Sequence, residues 1–309
     1  MSPYRSPLLL APDFSNQAYI QVTPASAGWE YLHFAARQMR QSEAWSFETG
    51  EHELALVVLS GICTVDSNRG KWCGIGRRAS VFEGMPYTLY LPRQTRFTVT
   101  ASSARLDFTC GWCLAEEDHP ARLVTPADVQ IEIRGGGNVT RQINKMIPPG
   151  FDCSRLVVVE VYTPSGNWSS YPPHKHDQHI VDAQGNLLEA DLEEVYFYKI
   201  NRPEGFAYQR IYTADQKLDE LILVRDSHLV LSPQGYHPVV AAPGYHCYYL
   251  NMLAGSAQSL AASDDPDHAW VKETWIEPVN FTATDPRLPL VSMEMEKNMS
   301  STAAVRRLL

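Results

Sequence analysis

The chain is short of several things, and each shortage excludes a class of protein. No stretch approaches the roughly 18 consecutive apolar residues of a membrane-spanning helix, so no transmembrane segment or membrane partner is expected. Positive charge is scarce: 26 Lys and Arg stand against 35 Asp and Glu, a formal net charge of −9 with a pI near 5.6. That balance gives no reason to expect nucleic acid or an anionic bilayer as a partner. The start carries only a brief apolar run, broken by Pro12 and Asp13. It is too short for a secretory signal, and a cytoplasmic location is expected. Cysteine is limited to six residues, which fits a reduced compartment. Cys110-Gly-Trp-Cys113 has redox or zinc spacing but no second pair beside it, so two buried strand thiols are the favoured reading. Long helical periodicity is scarce, and no nicotinamide or flavin motif is found.

What is present is a globular composition, 44% hydrophobic and 20% charged, in a chain of 309 residues. That length builds one large or two ordinary domains with a sizeable core. Short segments rich in aromatic and β-branched residues recur between Gly, Pro, Asn and Asp. They run over residues 54–60, 87–91, 97–100, 156–162, 195–200, 221–224, 229–231 and 245–253. Such residues suit a pleated, half-buried surface, and many short strands with frequent turns predict an all-β sandwich or barrel.

A boundary is expected between Pro120 and Gly150, where Arg134-Gly-Gly-Gly-Asn138 forms a turn and Pro148-Pro149-Gly150 restarts strand structure. Val139 to Met146 between them reads as a short helix or an ordered linker. The predicted units are residues 1–133, a linker over 134–150, and residues 151–309 with a C-terminal extension. The halves are faintly alike. Residues 54–65 read as strand, turn, strand, with 195–200 in the matching place. Leu91-Pro-Arg-Gln-Thr-Arg96 resembles Ser232-Pro-Gln-Gly-Tyr-His237. Setting Pro92 on Pro233 puts Arg96 where His237 stands. The reading is a duplicated barrel whose first copy has a degenerate metal site; coincidence is the alternative.

The chemistry concentrates in Tyr171-Pro-Pro-His-Lys-His-Asp177. Residues i and i+2 of a strand share a face, so His174 and His176 offer two imidazoles to one ion while Lys175 points away. A lone His-x-His also occurs by chance on surface strands. Glu194, bordering Val-Tyr-Phe-Tyr, and His237 supply two more donors. Taken singly, Glu194 reads as a strand-end charge and His237 as a satisfied loop histidine. Together, three imidazoles and one carboxylate suit a first-row divalent ion, with a net charge of +1 and, on an octahedral ion, two open positions. A closed tetrahedral ion would instead be structural.

The two-histidine pair, the later Glu and the last His resemble the ligand pattern of the cupin superfamily of small metal-binding β-barrels. Residues 167–177, 192–198 and 242–251 are more narrowly similar to the 5-deoxy-glucuronate isomerase family of myo-inositol catabolism, as are Arg134 to Asn138 and Arg141. The resemblance runs from about Gly28 to Trp275. It implies an all-β fold of two tandem cupin-type barrels (a bicupin) with little helix. It also implies a metal-dependent aldose–ketose isomerase acting on a deoxy-uronate, and a divalent ion, Zn, Mn or Fe, on His174, His176, Glu194 and His237. One departure is visible: 17 residues separate His176 from Glu194, against three or four in the general pattern. Glu189, Glu193 and Glu194 therefore compete as the carboxylate ligand, and Glu194 is chosen because it joins Val-Tyr-Phe-Tyr directly.

Such a reaction needs a proton-transfer group and a cation for the substrate carboxylate. Tyr196, on the same strand face as Glu194, is the candidate for the first; a buried aromatic with a satisfied hydroxyl is the alternative. Arg210 is the candidate for the second; a surface strand residue is the alternative. Rival functions on this scaffold are an iron-dependent oxygenase and a non-catalytic sugar-binding protein. The expected partner is a small deoxy-uronate, and self-association is left open.

Overall fold

The computed structural model describes residues 6–275 and 285–295. Nearly every regular element is a strand, and the strands form two stacked barrels. The first barrel pairs a six-stranded sheet with a four-stranded one. In the six-stranded sheet His52–Ser60 is flanked by Tyr87–Leu91 and Arg105–Leu114, and the latter pairs onward with His33–Arg40. The second barrel repeats this order in an eight-stranded sheet. There Leu187–Ile200 is flanked by Leu229–Ser232 and Cys247–Gly255, and Val157–Thr163 follows.

The repeat holds residue by residue. Leu54 lies opposite Leu91 and Trp112; Glu194 lies opposite Ser232 and Leu253. Leu54 thus occupies the place of Glu194, and Pro92 that of Pro233, the pairing read from the sequence. The first barrel is filled with apolar side chains, among them Leu54, Leu56, Leu89, Leu91 and Phe108.

Between the barrels the two large sheets pack face to face, with Phe34, Val57 and Tyr90 from one meeting Phe197, Leu250 and Met252 from the other. Gly111 sits at their closest approach, where a Cβ would lie 2.2 Å from Met252 Sδ. Two carboxylates fasten the layers reciprocally. Glu53 accepts from the backbone N–H of Ser154, Arg155 and Leu156, at 2.7–2.8 Å, and from the Tyr90 hydroxyl. Glu193, its counterpart, accepts from the backbone N–H of Glu30, Tyr31 and Leu32. Glu53 reaches the chain just before Val157–Thr163 and Glu193 the chain just before His33–Arg40, the matching strands of the two barrels.

Val139 to Met146 is neither helix nor linker. Gly137–Val139 makes one 3₁₀ turn and Arg141–Ile147 is a strand between Gln130–Arg134 and Val157–Thr163. Both of its faces are covered: Gln142 and Asn144 are buried toward the other barrel, while Arg141, Ile143 and Lys145 line the cavity of the second. A strand buried on both sides loses the polar–apolar contrast that marks it in sequence. Residues 134–147 therefore belong to the second barrel's sheet. The N-terminal Leu9–Leu10 also pairs with that sheet, at Val230 and Leu229. Residues 1–5 and the end of the C-terminal extension lie outside the described residues.

Candidate metal centre

Leu187–Ile200 alternates as a strand must. Val195 and Phe197 enter the layer between the barrels, while Glu194, Tyr196 and Tyr198 point into the second barrel. The competition among three carboxylates resolves on this geometry. Glu189 is taken by Lys175 Nζ at 2.8 Å and by the backbone N–H of Asp177 and Gln178. Glu193 faces the other barrel. Glu194 alone of the three turns in beside the imidazoles.

His176 and His237 meet Glu194 there. Their ligand atoms all lie within 4.8 Å of one another, and the three residues are 6%, 1% and 4% exposed, respectively. His176 Nε2 is 3.0 Å and His237 Nε2 3.4 Å from Glu194 Oε2. His174, on the short His174–Lys175 strand paired with Ser263–Asp264, stands beside them, its ring centroid 4.9 Å from that of His237. Its nitrogens fall outside the tight group. Lys175 points away, toward Asp177 and Glu189.

The tautomers follow from backbone carbonyls, which only accept. His176 Nδ1 donates to Leu192 O at 3.1 Å, and His237 Nδ1 donates to Gly235 O at 2.8 Å. Each neutral ring then presents the lone pair of Nε2 to the interior, as a metal-binding imidazole does when its other nitrogen donates to a carbonyl. Gly235 earns its identity here: φ is +81°, and a Cβ would lie 2.4 Å from Tyr212 O. Its N–H donates to Asp177 Oδ2 at 2.8 Å, so Asp177 orders the His237 loop rather than His176.

This arrangement fits a cation. An imidazole lone pair 3.0 Å from a carboxylate oxygen repels it unless a positive charge lies between them. Without a metal that charge is a proton; although burial opposes it, hydrogen bonding to Glu194 holds His176 above its ordinary pKa. His237 Nε2 is buried with no hydrogen-bond partner, a costly state that a metal bond relieves. Burial and the neighbouring His176 push both His237 and His174 down to about 3, so both rings stay neutral and ready to bind a metal.

Beside these groups opens a cavity of about 270 Å³ whose lining includes His174, His176, Glu194 and Tyr196. Ser170 Oγ lies 3.3 Å from both the Tyr196 and the Tyr249 hydroxyl. Burial, with Glu194 close by, raises Tyr196 well above the ordinary phenol range. Tyr196 is therefore a protonated phenol, not a phenolate. Arg210 is not in this cavity. It sits on the outer face of the second barrel, its guanidinium forked onto Asp219 at 2.7 and 2.9 Å and stacked over Tyr212. The cations that do line the cavity are Arg134, Arg141, Lys145 and Lys272. Of these, Arg141 and Lys145 ride on the strand misread as helix or linker. Polar residues on both faces of that strand leave no alternation in the sequence by which to find them.

Two stacked β-barrels, with imidazoles and a carboxylate converging inside one, define a bicupin. The KduI/IolB family model matches residues 8–271, and the chain belongs to that family. A 5-deoxy-glucuronate isomerase of Geobacillus thermodenitrificans is 43% identical over 258 residues, covering 82% of this chain and 91% of that protein. One from Bacillus subtilis is 36% identical over 256 residues, covering 82% and 92%. The crystal structure of an IolB-like protein from Salmonella typhimurium superposes with a TM-score of 0.81 at 36% identity, covering 85% of this chain and 98% of that one. A Bacillus subtilis oxalate decarboxylase shares the fold alone, with a TM-score of 0.55 at 10% identity over 79% and 74% of the two chains.

Proposed function

We propose that this chain is a metal-dependent aldose–ketose isomerase that converts 5-deoxy-glucuronate to 5-dehydro-2-deoxy-gluconate in inositol catabolism, in the cytoplasm. Relatives named for that activity, matched over more than nine-tenths of their length, support the substrate. The observation that carries the chemistry is the buried, unpartnered His237 Nε2 facing Glu194 and His176 at the edge of a cavity.

His174, His176, Glu194 and His237 would hold the ion, which is Zn, Mn or Fe. When bound, it supplies Lewis acidity to two neighbouring substrate oxygens, the role a hydroxy-aldehyde needs filled as its C–H bond breaks. The chain's own groups do the rest. In the net reaction one proton leaves the hydroxyl-bearing carbon for the aldehyde carbon, and another passes between their oxygens. No oxidant or cosubstrate is required. Tyr196, held protonated beside Glu194, gives and recovers the oxygen-borne proton, and Ser170 orients its hydroxyl. The apolar walls at Val159, Val161 and Leu253 exclude water.

We further propose that residues 1–133 act as scaffold, with Leu54 and Arg96 in the places of Glu194 and His237 leaving the first barrel without a metal site. Residues 151–309 would carry the metal ligands, with the strand Arg141–Ile147, expected as part of the 134–150 linker, completing their cavity. The test is conversion of 5-deoxy-glucuronate followed by NMR, run both with and without oxygen while oxygen uptake is recorded. Loss of the aldehyde signal with growth of a ketone is expected. Oxygen consumption without ketone would favour an oxygenase, and neither change in metal-loaded protein would overturn the reading.

A further inference from the structure

Four cations line the cavity, and three of them are neutralised. Arg134 and Lys145 share Glu132, and Lys272 pairs with Asp264. Arg141 has no carboxylate partner among the described residues. It is 5% exposed, and its two hydrogen bonds both leave from Nη1, to Val139 O and Tyr171 O at 3.2 Å each. Among the described residues Nε and Nη2 have no protein partner, and Arg141 lines the cavity.

A guanidinium buried without a counter-charge is expensive. Burial pushes Arg141 down to about 10, and its charge, second to burial and to His176, helps keep His174 neutral. The chain retains this cost on the face it shares with the candidate metal ligands. Between the strand of Glu194 and that of Arg141 stand two others. Gln142 is level with Tyr162, Tyr248 and Lys199, five residues along from Glu194, so Arg141 and the candidate metal ligands stand at different heights in one cavity. An extended six-carbon acid lying along that cavity has one end for each. In such an acid the carboxylate is at the opposite end from the reacting carbons.

We propose that Arg141 receives the substrate carboxylate in a forked, charge-assisted pair, and so selects uronic acids over neutral sugars. This rests on the isomerase reading of the same site. It assigns to Arg141 the role the sequence suggested for Arg210.

The test compares wild type, Arg141→Gln and Arg141→Lys, each with its metal content and melting temperature measured. Turnover is followed with 5-deoxy-glucuronate and with 5-deoxy-glucose, which carries a hydroxymethyl group in place of the carboxylate. Binding of 5-deoxy-glucuronate is followed by calorimetry. The wild type should favour the acid in kcat/KM by roughly 100-fold, the worth of a good charged hydrogen-bond pair. Arg141→Gln should lose most of that preference through KM, and weaken binding of the acid by a similar factor, with metal content unchanged. Arg141→Lys should recover part of both. An unchanged preference in Arg141→Gln, or unchanged binding of the acid, overturns the proposal. If the wild type converts neither sugar, the isomerase reading fails, and the calorimetric comparison still decides the role of Arg141.

Discussion

At the scale of single residues, the contrast between the two barrel interiors turns on matched positions. Where the first has Leu54, the second has Glu194, and that exchange turns an apolar interior into one that must hold charge. Glu194→Gln keeps the shape but removes the negative charge that offsets a dication. Bound metal per chain should fall well below one, and turnover by at least about 100-fold, since even outer-shell partners of metal ligands are worth 10–100-fold. Metal analysis beside the NMR assay checks this; full metal content in the variant would remove Glu194 from the site. A second residue reports on burial alone. Burial, with His52 close by, holds His33 down to about 4. Its folded pKa lies below the ordinary 6.5, so between those values the unfolded chain binds a proton that the folded chain refuses. The stability this group allows is present above about pH 6.5 and is lost as pH falls toward 4. An NMR titration of His33 should show a midpoint near 4, and a midpoint near 6.5 would contradict the packing.

At the scale of elements, the reciprocal carboxylates Glu53 and Glu193 join the barrels beside an apolar layer and the buried Arg78–Glu160 pair. Glu53→Gln leaves one acceptor oxygen for three buried N–H donors and sets an amide N–H₂ against them. Each unsatisfied donor costs about 1–3 kcal/mol, so a loss of roughly 2–4 kcal/mol is expected in denaturant unfolding, with metal content and turnover kept while folded. An unchanged unfolding midpoint would show that the clasp is incidental. Legibility also divides by element. Strands such as Tyr87–Leu91 and Leu229–Ser232 were readable because β-branched and aromatic residues fill them between turn signals. Arg141–Ile147 was not, because Gln142 and Asn144 face a buried polar network at Glu160 and Val291 that sequence alone does not reveal. The segment after the second barrel was equally silent, yet Ser263–Asp264 pairs with the His174–Lys175 strand and Lys272 and Trp275 close one wall of the cavity.

At the scale of the whole molecule, His176, Glu194 and His237 come together as the sequence suggested, because strand spacing sets which side chains share a face, while His174 stands beside the tight group. Arg210 was misplaced because a charge preference carries no address. Only the register of the sheet shows which cation faces the cavity. The two-barrel plan was visible in the faint repeat around Pro92 and Pro233, and the matching strand pairings give that repeat its physical basis. The central claim is that buried imidazoles and one carboxylate of the second barrel hold a divalent ion on which isomerisation depends. The most direct measurement is turnover of 5-deoxy-glucuronate by protein stripped with a chelator and then titrated with Zn, Mn or Fe. Activity should vanish on stripping and return in proportion to bound ion, levelling at one per chain. Undiminished conversion by fully metal-free protein would contradict the account.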